Sequence, residues 1–357
     1  METKRIDAES PFGKEQALNE GAALLRQGEV VAFPTETVYG LGANALNSSA
    51  CAKIFVIKGR PADNPLIVHV ASVEGARKAV REWPKEADIC ASEFWPGPLT
   101  LVLPKADSVP EIVSGGLQTV AVRIPSHPLA LDLIARSRCP IAAPSANISG
   151  KPSPTEAEHV WHDLRGKIPL LIDGGKCKVG LESTVLDLTG EIPLILRPGG
   201  VTREQLKAVL GKVNVDNGVN NEAKGLFQPK SPGMKYRHYA PQAEIILICG
   251  EIEEKAEQFA RKLSNKKPGK RIALLCLEET ASILSEDTMA LADLVFILGS
   301  GQKPTEAASR LFEGLRLCDQ ESIEIILAEG MLEQGIWLAF MNRLQKAAGK
   351  KGDLEIV

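Results

Sequence analysis

Apolar residues along most of this chain fall into short, β-rich runs that alternate with segments of helical periodicity. Up to about residue 210 the pattern predicts strands at 29–34, 66–70, 99–104, 119–124, 141–144, 170–173, 184–188 and 192–196. It predicts helices at 14–26, 49–57, 73–81, 128–137, 155–164 and 202–210. Proline and glycine stand at nearly every junction, as turns require. We therefore expect one α/β domain with a large, mixed, twisted sheet.

The pattern is interrupted over residues 211–241, which are rich in Asn, Gly and Lys and have almost no apolar periodicity. A segment of that length without secondary structure is either an inter-domain linker or a functional lid. Beyond it, strands are predicted at 244–249, 271–277, 294–298 and 323–328, and helices at 252–263, 305–317 and 335–348. We expect a first domain over 1–210, a linker or active-site lid over 211–241 and a smaller Rossmann-like α/β domain over 242–357.

Length, charge and cysteine usage narrow the class of protein. The chain has 357 residues, which favours two domains, and its net charge of -3 provides no overall attraction to nucleic acid or to anionic membranes. Its seven cysteines are scattered without a C-x-x-C pair, which favours a reducing compartment over a disulfide framework or a zinc site. Neither a signal peptide nor a membrane-spanning run is recognisable, and we expect a soluble, cytoplasmic protein.

Two polar segments follow the first predicted strand. PTETVYGLG at 34–42 is a hydroxyl-rich turn that contains Thr37. Lys58 and Arg60 then flank a glycine, and Asn64 and His69 follow closely. A loop of this kind can present a point charge and a guanidinium fork to a polyphosphate, although an exposed basic turn is the commoner outcome for such a pair.

A second hydroxyl- and amide-rich turn, APSANISGKPS at 143–153, follows the predicted strand at 141–144 and contains Ser145, Asn147 and Ser153. Ligands of α/β proteins bind at such strand ends, and these side chains suit phosphate and ribose oxygens. The same residues could instead form an ordinary Ser or Asx turn that caps the next helix.

Further candidates lie in the second half of the first domain. Ser183 belongs to a glycine-flanked turn, and Arg197 lies between a strand and Pro-Gly-Gly, where it could clamp a phosphate. Arg123 ends a predicted strand and could pair with a carboxylate, or it could simply be solvated. His159 and His162, three apart on a predicted helix, have no third ligand in view and are best interpreted as a solvated face.

Several motifs are absent from the sequence. There is no G-x-x-x-x-G-K-[ST] loop, and no G-x-G-x-x-G follows the first strand. Ser145 has no G-x-S-x-G context, and no cysteine lies in a nucleophile motif. The sequence thus disfavours a P-loop NTPase, a standard dinucleotide enzyme and covalent acyl transfer.

Taken together in their order along the chain, six segments resemble the threonylcarbamoyl-AMP synthase family, also called the YrdC-like family. They are PTETVYGL at 34–41, KGRP at 58–61, NPL at 64–66, PSANISG at 144–150, STV at 183–185 and RPG at 197–199. SPGM at 231–234 and HYAP at 238–241, with a C-terminal α/β domain, are similar to the longer, two-domain form of the family. The resemblance implies that residues 1–210 form a YrdC-like catalytic domain.

The resemblance also implies the reaction: L-threonine, bicarbonate or CO2 and ATP give threonylcarbamoyl-AMP and pyrophosphate, a nucleotidyl transfer that serves tRNA N6-threonylcarbamoyladenosine modification. The threonine site would consist of Thr37, His69, Arg123, Ala143 and Ser183, with Arg123 on the carboxylate. The ATP site would consist of Arg60, Asn64, Thr119, Ser145, Ser153, Arg197 and Tyr239. The catalytic set would be Lys58, Arg60, Ser145 and Asn147, with Mg2+ carried by the ATP phosphates rather than by protein side chains.

Downstream threonylcarbamoyl-transferase machinery acting on tRNA would then be the expected partner, with only weak direct RNA binding. Two other interpretations stay open at this point. One is a double-stranded RNA or tRNA-binding module without this catalysis, which needs a basic concave surface. The other is carbamoyl transfer from carbamoyl phosphate, since related domains occur in hydrogenase-maturation proteins; the acylphosphatase and zinc-finger-like modules of those proteins are missing here.

Overall fold

The computed structural model describes residues 1–216 and 239–349, which divide into two compact units. The first contains Met1–Ser149 and the described residues from Ser153 to 216. The second contains the described residues from 239 to 349 together with Gly150–Pro152, a short segment from inside the first unit's sequence. Most of the expected lid, including SPGM at 231–234, lies outside the described residues.

The first unit is an α/β structure built around one large sheet. Its elements in chain order are β1 (Lys4–Asp7), α1 (Pro11–Arg26), β2 (Val31–Phe33), β3 (Gly40–Asn44), α2 (Ser48–Lys58), β4 (Ile67–His69), α3 (Val73–Ala79), α4 (Lys85–Phe94), β5 (Leu99–Pro104), α5 (Glu111–Ser114), β6 (Thr119–Arg123), α6 (Pro128–Ser137), β7 (Ile141–Ala142), α7 (Ala157–Leu164), β8 (Leu170–Asp173), β9 (Thr184–Asp187), β10 (Leu194–Arg197), α8 (Arg203–Leu210) and β11 (Asn214–Val215). Over the described residues, eleven strands pair in the order β1-β8-β2-β3-β7-β4-β6-β5-β9-β10-β11. Parallel pairs such as β4 with β6 and antiparallel pairs such as β5 with β6 both occur, so the expected large mixed sheet is confirmed.

The second unit is smaller and has a purely parallel sheet. Its elements are β12 (Glu244–Ile248), α9 (Ile252–Ser264), β13 (Ile272–Cys276), α10 (Glu278–Ile283), α11 (Glu286–Met289), β14 (Leu294–Ile297), α12 (Pro304–Ser309), α13 (Leu311–Gln320), β15 (Ile325–Glu329) and α14 (Trp337–Ala348). The strand order is β12-β15-β13-β14. The expected small Rossmann-like α/β domain is therefore confirmed in class.

Local sequence signals explain where several helices begin and end. The Ser10 side chain accepts a hydrogen bond from the backbone of Gly13, and proline occupies the first turn of α1. At the start of α8, Thr202 and Gln205 form a reciprocal capping box. Helix α2 ends at Lys58 and is capped by Gly59, whose left-handed backbone conformation is tolerated best by glycine. This last cap ends the helix directly after Lys58.

Helices pack against both faces of the large sheet. Val31 and Phe33 point into a core that includes residues of α1 and α6, whereas Ala32 between them belongs to a separate, larger core. Successive strand residues point to opposite faces, so the strand buries both sides. A continuous apolar run, rather than alternation, is the sequence pattern of such a strand.

The strands that the sequence did not reveal are short or rich in glycine. Strand β1 alternates exposed charged residues with one buried residue, and it is held by parallel pairing with β8. Strand β3 is rich in glycine: a Cβ atom at Gly42 would lie 2.6 Å from Ile141 Cγ2 and 2.7 Å from Phe33 Cε1. Helix α4 was also missed, and the single helix predicted at 305–317 is two helices, α12 and α13. Across the described ranges, no helix is long and apolar enough to cross a membrane.

Candidate active site

Strand register places many of the predicted site residues on one face of the large sheet. His69 of β4 pairs with Arg123 of β6, and Val185 of β9 pairs with both Thr100 of β5 and Arg197 of β10. Residues paired across neighbouring strands project to the same side of a sheet. The side chains of these strands therefore form one polar and charged row on this face.

Beside that row, on the same face, lies a small apolar patch that forms the floor of the site. It is a separate buried cluster whose members all come from strands β4, β5, β6, β9 and β10: Ile67, Val102, Ala121, Val185 and Leu196. Ile67 and Val102 both pair with Ala121, which places them on the same face as His69 and Arg123. An apolar floor edged by a few convergent polar groups is the usual construction of a small-molecule site.

Arg123 organises the first polar group of the site. Its guanidinium donates to Thr37 Oγ1 at 3.0 Å and to the carbonyl of Gly97 at 3.2 Å, and it lies 2.7 Å from Glu36 Oε1. All of these side chains are buried. Burial, the largest single influence, acts to raise the pKa of Glu36. The charge and the hydrogen bond of Arg123, with hydrogen bonds from the backbone of Glu36 and Ser126, together outweigh it, so the pKa lies below its usual range and the carboxylate is charged. The pair is a buried ion pair next to a threonine hydroxyl.

His69 lies beside that ion pair and is neutral. Burial, reinforced by the positive charge of Arg123, lowers the pKa of His69 to about 3. Its Nδ1 atom lies 3.1 Å from the carbonyl of Ile67. Ala143 is also close to this strand, because its backbone N–H donates to the same Ile67 carbonyl at 2.9 Å. The structure thus brings Thr37 and Arg123 into contact and places His69 on the adjoining strand β4, to which Ala143, the residue after β7, is hydrogen-bonded.

A second polar group surrounds Ser183, the residue before β9. Arg197 donates to the Ser183 carbonyl at 3.0 Å and to its hydroxyl at 3.2 Å. Thr100 Oγ1 lies 2.8 Å from the same hydroxyl. Ser183 is a predicted threonine-site residue and Arg197 a predicted ATP-site residue, so these hydrogen bonds link the two predicted sites.

Lys58, Ser145 and Asn147 form a third group at the end of α2. Lys58 is 2% exposed, and its Nζ donates to the carbonyl of Ser145 at 2.6 Å and to that of Asn147. Ser145 Oγ donates to the Asn147 side chain at 2.5 Å. The sequence suggested a loop cation; the structure instead places Lys58 as the last residue of a helix, directed at the backbone of the loop after β7.

The remaining ATP-site candidates lie in separate places. Arg60 donates to the side chain of Asn64 at 2.7 Å and to the carbonyl of Pro65 at 2.8 Å. Ser153 donates to the buried carboxylate of Glu182. Thr119 begins β6, whereas Arg123 ends that strand, about 13 Å away at 3.3 Å per residue. The structure brings Arg60 to Asn64 but leaves Thr119 at the opposite end of its strand from Arg123.

Tyr239 belongs to the second unit. Its ring packs against Phe312 with centroids 5.3 Å apart, and the Arg343 guanidinium lies 5.7 Å from its centre. It is buried and has a positive φ of 65°, an uncommon conformation for a residue other than glycine. The next residue, Ala240, donates to the carbonyl of Gly150 at 2.8 Å. Within this unit, Tyr239 and Ala240 of the HYAP motif are therefore fixed by a ring contact and a backbone hydrogen bond.

Three residues of these groups received no role from the sequence: Glu36, Thr100 and Glu182. Thr100 could have been found as the hydroxyl residue in an otherwise apolar predicted strand. Glu36 lies between two threonines of the hydroxyl-rich turn, where a carboxylate was the available signal. The interpretation of His159 as part of a solvated face was wrong. It is buried, and its Nε2 lies 3.3 Å from Glu156 Oε1.

The described side chains offer few other reactive groups. Burial raises the pKa of each of the seven cysteine thiols, all of which lie in the described parts of the chain and are free. None is therefore an activated nucleophile at neutral pH. Over residues 1–216 and 239–349, no group of three or more His, Cys, Asp or Glu side chains is placed to hold a metal ion.

Fold and site together define a two-domain α/β protein whose site offers positioned cations, hydroxyls and amides to small anionic ligands. Comparison with known proteins assigns it more narrowly. Residues 23–199 match the family described as "Telomere recombination", and residues 201–349 match the "Threonylcarbamoyl-AMP synthase, C-terminal domain". The chain is 51% identical to the threonylcarbamoyl-AMP synthase of Pyrococcus abyssi, over 92% of this chain and 93% of the relative. It is 47% identical to that of Bacillus subtilis, over 98% and 99%.

A solved structure agrees with these relatives. The crystal structure of P. abyssi Sua5 complexed with L-threonine superposes with a TM-score of 0.90 at 48% identity and covers 97% of this chain and 98% of that one. The chain belongs to the threonylcarbamoyl-AMP synthase family. The resemblance predicted from the six motifs is confirmed.

Proposed function

We propose that this chain is an L-threonylcarbamoyladenylate synthase, which converts L-threonine, bicarbonate or CO2 and ATP into threonylcarbamoyl-AMP and pyrophosphate. The observation that carries the proposal is the buried group of Arg123, Thr37 and neutral His69, a site for a small hydroxylated acid, in a chain of this family. The RNA-binding alternative needs none of these groups, so the enzyme is the better explanation.

Threonine is held at the Arg123 group. Arg123 pairs with its carboxylate as a planar fork, which suits a carboxylate better than a lysine would. Thr37, His69, Ala143 and Ser183 complete the site. His69 stays neutral because of its lowered pKa, so it adds no second positive charge and can accept a hydrogen bond.

ATP is held by Arg60, Asn64, Thr119, Ser145, Ser153, Arg197 and Tyr239. The threonine amine first becomes a carbamate, and a carbamate oxygen then attacks the α-phosphorus while pyrophosphate leaves. Negative charge grows on the phosphoryl oxygens during this step, and donors fixed in advance lower its free energy. Lys58, Arg60, Ser145 and Asn147 are the catalytic set. The contacts of Lys58 with the carbonyls of Ser145 and Asn147 support a role in fixing that loop.

No protein nucleophile takes part in this scheme, which agrees with the raised pKa values of the cysteine thiols. Mg2+ supplies charge neutralisation to the ATP phosphates when bound. Because the described residues offer no acidic cluster for it, we assign it to the triphosphate and derive no step through it.

Domain roles and cellular context complete the proposal. Residues 1–210 form the catalytic domain, 211–241 an active-site lid that shields the carbamate and the adenylate from water, and 242–357 the Rossmann-like domain. The free cysteines support a reducing, cytoplasmic setting. The product passes to threonylcarbamoyl-transferase machinery that acts on tRNA, and direct RNA binding is weak.

Incubation of the full chain with ATP, Mg2+, labelled bicarbonate and single amino acids tests the proposal. We expect labelled adenylate and pyrophosphate with threonine and not with valine, which lacks the hydroxyl. Arg60→Ala is expected to lower turnover more than tenfold, as removal of one preorganised electrostatic contact does. Arg81→Ala, at an exposed arginine, is the matched control and should leave turnover unchanged. Absence of product with every amino acid, together with tight salt-dependent tRNA binding, would favour the binding-module interpretation.

A further inference from the structure

One face of helix α13 contacts two short segments that belong to candidate site motifs. Phe312 and Arg316 are four residues apart and lie on the same side of this helix. The Phe312 ring packs against that of Tyr239 in the HYAP motif, with centroids 5.3 Å apart. Arg316 Nη2 donates to the carbonyl of Pro152, in the turn at 143–153, at 2.6 Å. All four residues are part of the second unit.

These contacts are buried, and a backbone hydrogen bond joins the two segments. Arg316 and Tyr239 are each 5% exposed. Ala240 donates through its N–H to the carbonyl of Gly150 at 2.8 Å. A guanidinium that is removed from water is costly unless it is hydrogen-bonded, and a hydrogen bond from a charged donor is stronger than one between neutral groups. The Arg316 bond therefore holds Pro152 in one place.

The backbone of the two segments needs support from outside them. Tyr239 has a φ of 65° and Gly150 a φ of 94°. Glycine adopts positive φ freely, whereas a residue with a Cβ atom stays there only when its surroundings determine it. For Tyr239 those surroundings include the Phe312 ring and the Arg343 guanidinium, which lies 5.7 Å from the centre of the tyrosine ring. The second unit thus fixes a conformation that the local sequence does not favour.

We propose that Arg316 and Phe312 are positioning residues of the nucleotide site, and that they fix Pro152 and Tyr239 relative to each other. The inference rests on the proposed function, which assigns Ser153 and Tyr239 to ATP. Pro152 is joined to Ser153 by a peptide bond, so a displacement of one moves the other. Misplacement of a binding group by about 1 Å can cost up to about 100-fold. Helix α13 therefore supports ATP binding by acting through these two segments.

The experiment measures ATP binding to the full chain by calorimetry, without threonine or bicarbonate, and threonine binding separately. The variants are Arg316→Met, which removes the donor, and Phe312→Leu, which removes the ring but stays apolar. The control is Arg271→Met, because the Arg271 guanidinium lies 3.8 Å from the Glu321 carboxylate at an exposed position. Hydrogen exchange of the β13 and β15 amides reports whether the second unit of each variant stays folded.

Arg316→Met is expected to weaken ATP binding about tenfold, the usual effect of losing a hydrogen bond from a charged donor. Phe312→Leu should weaken ATP binding in the same direction. Threonine binding should change less than twofold in both variants, and Arg271→Met should resemble wild type with both ligands.

Wild-type ATP affinity in both variants would refute the inference, and so would equal weakening of ATP and threonine binding, because neither result fits a residue that positions only the nucleotide site. If hydrogen exchange shows that Arg316→Met is unfolded, Phe312→Leu decides the matter by the same criteria. A wild-type protein that binds no ATP contradicts the proposed function, and the inference falls with it. Unaffected variants of an ATP-binding wild type refute the inference alone.

Discussion

Substitution of Lys58 by methionine removes one buried ammonium and keeps most of the side-chain volume. In the folded protein, Nζ donates to two backbone carbonyls, those of Ser145 and Asn147, and the lysine is 2% exposed. Each carbonyl that loses its donor and stays buried costs about 1–3 kcal/mol. Part of this is offset because methionine has no charge to bury. We expect a net loss of about 2–4 kcal/mol in the free energy of unfolding of the first unit.

Lys53→Met is the control on the same helix. Lys53 pairs with Glu29 at 2.7 Å and donates to the carbonyl of Gly28 at 2.9 Å, but its side chain and that of Glu29 are substantially exposed, at 40% and 35%, so water can replace the lost donor. Pairs of this kind contribute about 0–1 kcal/mol. Urea unfolding followed by tryptophan fluorescence suits the comparison, since three of the four tryptophans, Trp83, Trp95 and Trp161, lie in the first unit.

The two variants should also differ in activity. Since the Lys58 contacts hold the Ser145–Asn147 loop, we expect Lys58→Met to lose more than tenfold in product formation at saturating substrates and Lys53→Met to lose none. Equal unfolding free energies for the two variants would refute the reasoning from buried carbonyls. Equal turnover would remove Lys58 from the catalytic set.

Three further predictions concern side chains around the same sheet. Thr100→Val removes the hydroxyl that lies 2.8 Å from Ser183 Oγ; we expect a raised threonine KM with a smaller change in kcat, and Thr100→Ser should restore it. Gly42→Ala is expected to destabilise the fold by about 1–3 kcal/mol by overpacking, measured by urea unfolding, whereas Gly40→Ala, whose nearest contacts are at 3.4 Å, should cost less. His69 has a folded pKa of about 3, below its unfolded value, so the folded state binds fewer protons and stability falls as pH decreases from about 6.5 towards 3. His69→Gln should flatten that dependence by up to about 1.4 kcal/mol per pH unit, and identical pH profiles for the two proteins would contradict the assignment.

The sequence was sufficient for the class of fold and for most elements with strong apolar patterns. Strand β5 (Leu99–Pro104) and helix α6 (Pro128–Ser137) were predicted at or near their observed bounds, because an apolar run and a proline-initiated helix are local signals. Strand β3 was missed because its glycines carry no apolar side chain. Their smallness is required by Phe33 and Ile141, which contact them only in the folded sheet.

The residues of the site could be selected from the sequence, but their arrangement could not. The six motifs alone assigned the family and the candidate residues, since each motif is a local pattern of hydroxyls, amides, cations and glycines. Only strand register placed His69 beside Arg123 and Arg197 beside Ser183, because pairing depends on contacts between residues far apart along the chain. The same long-range contacts enclosed Glu36 with Arg123 and lowered the pKa of His69, since burial and neighbouring charge exist only once the tertiary structure has formed.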